Sequence, residues 1–151
     1  MKRLLMALVM STLLLSGCIN NKNNKDNQST ENITDNIPEE EIMKLEIDNQ
    51  ELDVVWENNA SVEAIKNLCP LSINMHQYGD FEQVGSINQS IVSDDKEITT
   101  KPGDIVLYSS NQIVVFFGTN TWSYTKLGHI SLSDSELNTL LNKSNVTLRI
   151  Y

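Results

Sequence analysis

The chain has 151 residues and a formal net charge of −9, with 11 Lys and Arg against 20 Asp and Glu. An acidic surface of this kind repels phosphate backbones and excludes nucleic acid as a partner, and once the apolar leader is set aside the remaining length suits one core and not two. Cys18 and Cys69 are the only cysteines, so with Cys18 committed to lipid, as read below, no disulfide framework is available.

At the N-terminus, Lys2 and Arg3 form a charged region ahead of an apolar run from Leu4 to Leu15. That run is too short to span a hydrocarbon core of ~30 Å. It leads directly into Leu15-Ser16-Gly17-Cys18, which matches a bacterial-type lipobox. Residues 1–17 therefore read as a lipoprotein signal peptide, cleaved before Cys18, whose thiol is acylated with palmitate or a similar chain. This predicts a lipid-anchored, extracytoplasmic protein at the cell membrane. Residues 18–41 read as a tether: Asn20-Asn21-Lys22-Asn23-Asn24 has no apolar period, and Pro38-Glu39-Glu40-Glu41 closes the stretch with charge. Such a segment cannot bury enough apolar surface to offset its ordering entropy, and its root-mean-square span is roughly 25–30 Å.

Every aromatic residue lies at or beyond Trp56, which places the folded domain at 42–151. Ile42 to Ile47 alternates, Asp48-Asn49 signals a turn, and Leu52 to Trp56 alternates again, a predicted hairpin. Asn59 or Ser61 caps a helix carrying Val62, Ile65 and Leu68 at helical spacing and ended by Pro70. Cys69 fits a small apolar side chain at that helix end. Leu71, Ile73 and Met75 then alternate with Ser72, Asn74 and His76 as a half-buried strand.

The segment from Gln77 to Lys101 carries Gly79, Gly85 and Asp94-Asp95 and reads as either a functional loop or a pair of short edge strands. Asp104 to Tyr108 and Gln112 to Gly118 form strands joined through Ser109-Ser110-Asn111, and the second, apolar on both faces, belongs in the middle of a sheet. Lys126 to Ile130 adds a strand, Ser133 caps a helix through Leu137, Leu140 and Leu141, and Val146 to Tyr151 closes the sheet. The resulting expectation is a mainly β protein, a small closed barrel with two short helices.

Pro102-Gly103-Asp104-Ile105-Val106-Leu107-Tyr108, Val114-Val115-Phe116-Phe117-Gly118 and Trp122-Ser123-Tyr124-Thr125-Lys126-Leu127-Gly128 together resemble the compact cyclophilin-like proteins of bacteria and archaea. The stretch from Leu71 to Gly85, with Tyr78-Gly79-Asp80-Phe81-Glu82, is similar to that family's other signature. The resemblance implies a closed cyclophilin-like barrel over 42–151 and supplies no reaction. True cyclophilins aim an Arg of a Phe-His-Arg segment at the prolyl nitrogen, whereas the corresponding strand here reads Asn74-Met75-His76. Losing one preorganised donor typically costs on the order of 10²–10³ in rate, so no catalytic residue is assigned.

His76 and His129 have no His or Cys neighbour at metal-ligand spacing, so neither a metal nor a cofactor is expected. His76 is read as an outward strand residue and His129 as a rim residue. Glu82 in its Gly-rich stretch is the better site residue, and Tyr78, Phe81, Trp122 and Tyr124 are large rings beside glycines or loops. Gln112 and Phe116 resemble groove residues of cyclophilins. Tyr78, Phe81, Glu82, Gln112, Phe116, Trp122 and Tyr124 are thus the predicted ligand-binding set, with Trp56 and Phe117 left to the core. The expected function is membrane-anchored, non-catalytic binding of a peptide or small molecule; the alternative is a weak extracytoplasmic prolyl isomerase or chaperone-like enzyme.

Overall fold

A computed structural model of the chain describes residues 42–151; the predicted signal peptide, the lipidated Cys18 and the tether lie outside the described residues. The domain begins with the predicted hairpin, β1 (Leu45–Ile47) and β2 (Gln50–Leu52). Asp48 and Asn49 both take positive φ, +49° and +67°, as the tight turn between two twisted strands requires. A third strand, β3 (Val54–Trp56), follows β2 after only Asp53.

Then come α1 (Ala60–Lys66), β4 (Leu71–Tyr78), β5 (Glu82–Ser86), β6 (Lys96–Thr99), β7 (Asp104–Tyr108), β8 (Gln112–Phe116), β9 (Thr121–Ile130), α2 (Asp134–Leu141) and β10 (Asn145–Ile150). Asn59 caps α1 by accepting from the Val62 N–H at 3.0 Å. Ser133 caps α2 as predicted and forms a reciprocal capping box with Glu136.

Nine strands run in the order β2-β1-β10-β4-β5-β8-β7-β9-β3, all pairings antiparallel, and the barrel is nearly closed. The two ends of this path, β2 and β3, are consecutive in the chain. One short segment therefore pairs with β1 through its first half and with β9 through its second, and the sheet meets itself at Asp53. Trp56 ties the same seam, its Nε1 donating to the Met43 carbonyl at 2.7 Å. It is half-buried rather than a core residue.

Leu45, Ile47, Ile105, Leu107, Ile113, Val115, Leu127, Ile130, Leu148 and Ile150 fill the interior, with Ile65 of α1 and Leu137 and Leu141 of α2. Phe117 belongs to this core as expected. Gln83 also points inward, in register with Val115, and its Nε2 donates to the carbonyls of Leu141 (2.7 Å) and Lys143 (2.6 Å) at the end of α2. It supplies the donor that a helix C-terminus lacks. Cys69 is partly buried and bonds through Sγ to the Ile65 carbonyl at 3.4 Å.

The segment from Gln77 to Lys101 departs from expectation in one respect. It does hold two strands, and β6 is peripheral, pairing only with β9. But β5 is no edge: it lies between β4 and β8. Glu82-Gln83-Val84-Gly85-Ser86 offers no apolar alternation because each of its faces carries a polar residue with a place to go. A Cβ at Gly85 would overlap Ile73 Cγ2 and reach 3.0 Å from Met75 Cγ, so the glycine makes room for two core side chains of β4. We expect Gly85→Ala to lower the free energy of unfolding by ~1–3 kcal/mol through overpacking, measured by chemical denaturation; an unchanged midpoint would show that the neighbours yield freely.

Candidate functional site

The wall formed by β5, β8, β7 and β9 is buried on both faces. Its inward residues join the main core, while Val84, Val106, Val114, Phe116 and Tyr124 form a second apolar cluster on the outside, with Phe81, Ile98 and Tyr108 packed against it. Strand register builds this outer cluster: Val84 lies opposite Val114, Val114 opposite Val106, and Glu82 opposite Phe116. Direct antiparallel partners share a face. One row of valines therefore crosses three strands, and its cover comes from the rings.

A cleft of about 390 Å³ opens over this cluster. Its floor is Val84 and Val114, with Glu82 set among them; His76 and Tyr78 of β4 form one side, Tyr108 and Gln112 another, and Asn120, Trp122 and Tyr124 the third. Tyr78 is 63% and Trp122 58% exposed, so both rings stand free at the rim. Tyr124 is buried, edge-on to Tyr108 (centroids 5.9 Å apart) and to Phe116 (5.6 Å), and its hydroxyl accepts from Asn120 Nδ2 at 2.9 Å. Burial first, and the nearby Glu82 carboxylate second, raise the Tyr124 phenol above its ordinary range.

Of the predicted ligand-binding set, Tyr78, Glu82, Gln112, Trp122 and Tyr124 line the cleft together. Phe81 and Phe116 do not. Phe116 is 0% exposed, on the same outer face as Val114 but covered, with Phe81 stacked on it at 6.5 Å between centroids. Trp122 and Tyr124 come from the regular strand β9 and not from a loop. His76, Tyr108, Asn120, Val84 and Val114 complete the lining and were not in the predicted set. The missing signal was strand parity: Gln112, Val114 and Phe116 alternate to one face, and Tyr108 lies opposite Gln112 across the turn.

Two carboxylates are buried in the barrel wall, and they are treated differently. Asp104 accepts from the Lys101 N–H at 3.0 Å and from His129 Nδ1 at 2.9 Å, with Lys126 Nζ at 3.6 Å. Both Asp104 oxygens have partners, and His129 is a half-buried residue within β9. Glu82 is 7% exposed, and its Oε2 has no hydrogen-bond partner. Burial pushes its carboxyl from 4.5 up to about 7, since desolvation penalises the charged form. Buried carboxylates are normally paired; this one has an unpartnered oxygen and lies in the lining of the cleft.

Among the described residues no cluster of three His, Cys, Asp or Glu side chains is placed to hold a metal, and no helix is long and apolar enough to cross a membrane. The nearly closed antiparallel barrel with two helices is a cyclophilin-like fold. A family model described as the cyclophilin-like family matches residues 45–151, and the chain belongs to that family. Comparison with curated proteins gives no match.

The Glu82 carboxyl binds its proton more tightly in the fold than in the unfolded chain, so its contribution to stability is lost as pH rises from about 4.5 through about 7. Glu82→Gln removes that loss. We expect the variant to match the parent below pH 4.5 and to exceed it by ~2 kcal/mol at pH 8, after allowance for water at the cleft mouth. Denaturation curves across that range check this, and a variant destabilised at pH 8 would mean that the carboxylate has a partner.

Proposed function

We propose that this protein is a membrane-anchored lipoprotein whose barrel binds a peptide segment or small molecule in the outer-wall cleft without catalysing its isomerisation. The observation that carries the reading is the combination at one place of exposed rings, an apolar floor and the unpaired Glu82 oxygen. Ligand sites are mostly apolar concavities of ~300–1,000 Å³ with a few placed polar groups, and this cleft fits that description.

Binding rather than catalysis is favoured by the arginine. Isomerisation must overcome a barrier of ~18–20 kcal/mol, which requires a donor aimed at the prolyl nitrogen. Arg149 lies on β10, with Nη1 3.6 Å from Glu46 Oε1 and its guanidinium 5.9 Å from the Tyr151 ring centroid. It is not among the residues lining the cleft.

The test of the cleft is native mass spectrometry of the protein taken from its own cells, compared with Tyr78→Ala. We expect a co-purified ligand on the parent and loss of ~2 kcal/mol of binding, about thirtyfold, in the variant. The melting temperature should hardly move, because Tyr78 is 63% exposed. Equal loading of both proteins would remove the cleft from consideration, and robust X-Pro isomerisation by the parent in a protease-coupled assay would overturn the non-catalytic part.

Anchoring is proposed from Leu15-Ser16-Gly17-Cys18. One acyl chain binds membranes marginally and two hold firmly, so Cys18→Ala should be recovered without lipid and not as a membrane-held mature form. An acylated N-terminal peptide from that variant would disprove the assignment.

A further inference from the structure

We infer that the outer-wall cleft takes an organic cation, an alkylammonium or guanidinium group, with the Glu82 carboxylate as counter-ion and the rings of Tyr78, Tyr108, Trp122 and Tyr124 as its walls. This rests on the reading of the cleft as a binding site and specifies the chemistry of its occupant.

Three observations converge. The first is the carboxyl itself: more than nine-tenths buried, set in the cleft lining, with Oε2 unpaired. No Lys or Arg is among the lining residues, so the protein supplies no cation of its own there. The second is the ring set. Aromatic faces carry the negative side of a quadrupole and attract cations, most strongly where water is excluded. Four such rings around one carboxylate make a poor site for an anion, and a neutral donor can hydrogen-bond the oxygen without balancing its charge. The third is the field: a chain of net charge −9 concentrates cations at its surface.

The groups facing Glu82 define how binding depends on pH. On β4 these are His76 and Tyr78, on β7 Tyr108 and on β9 Tyr124; β8 contributes Gln112 and Phe116, which do not titrate. Lys96 of β6 shares a register row with Tyr124 but is exposed and paired with Asp94 at 2.8 Å. The unliganded Glu82 carboxyl sits at about 7, and a bound cation favours its ionised form. Binding therefore displaces a proton below that pH, and affinity falls as pH falls. From pH 8 to pH 5.5 the loss reaches about thirtyfold.

The experiment titrates the full chain, in detergent micelles, with tetramethylammonium and with tert-butanol, an uncharged molecule of similar shape, and follows the Trp122 indole N–H by NMR. We expect the cation to bind at least tenfold more tightly, and Glu82→Gln to reduce that preference below threefold. Tyr78→Leu, at an exposed position that does not threaten folding, should weaken the cation at least threefold and leave the alcohol unchanged. Butylammonium and a capped Ala-Lys-Ala peptide then separate the sources. Equal affinity identifies a free amine as sufficient, and tighter peptide binding identifies a lysine side chain presented by a chain. If tert-butanol binds as well as the cation, or Glu82→Gln keeps the preference, the cation inference falls while the binding cleft stands. If neither probe shifts Trp122 while native mass spectrometry still finds a ligand lost in Tyr78→Ala, the inference also falls and the cleft reading again survives.

Discussion

The partner switch at Asp53 is the constraint on which the rest of the barrel depends. An open sheet of this length would expose two rows of unpaired N–H and C=O groups. Here Gln50 to Leu52 pairs with β1, and Val54 to Trp56 pairs with β9. Beyond the bend, the Ser131 N–H donates to the Asp53 carbonyl at 3.0 Å and the Glu57 N–H to the Leu127 carbonyl at 2.9 Å. Once that seam is made, the strand order is fixed around the ring. β4, β5, β8, β7 and β9 are neighbours in that order, so β5 pairs with β8 across the intervening β6 and β7.

Closure also explains why the site is on the outside. The interior of this barrel is filled by its own apolar side chains. A wall that is apolar on its outer face as well must be covered, and β6, the Tyr124 ring and the Phe81–Phe116 stack cover only part of it. The uncovered remainder is the cleft. Lys126, His129 and Asp104, farther along the same wall, pair with one another instead.

Much of the fold was legible because periodicity and caps were strong. Ile113, Val114, Val115 and Phe116, apolar on both faces, placed β8 in the middle of a sheet, and Ser133 with Leu137, Leu140 and Leu141 located α2. The position of β5 was not legible, since Glu82, Gln83 and Ser86 look like loop residues until their partners are known. The site was legible in composition more than in geometry. Rings beside glycines pointed to Tyr78 and Trp122, but a ring between two strands and one at a rim look alike in sequence. That ambiguity put Phe81 in the lining, and the likeness to the cyclophilin groove put Phe116 there, whereas neither lines the cleft. Tyr108 and His76 needed cross-strand register, which is a property of pairing and not of local pattern.

Strand β5 carries adjacent polar side chains with opposite destinations: Glu82 to the cleft, Gln83 through the interior to the carbonyls of Leu141 and Lys143. Because side chains alternate, a slip of one residue would exchange them. The carboxyl would then enter the apolar interior, and the end of α2 would lose the amide donor it uses. An all-apolar β5 would tolerate such a slip cheaply. The pair makes the strand self-checking, so the residue that equips the cleft also records whether the barrel around it has been assembled in the correct alignment.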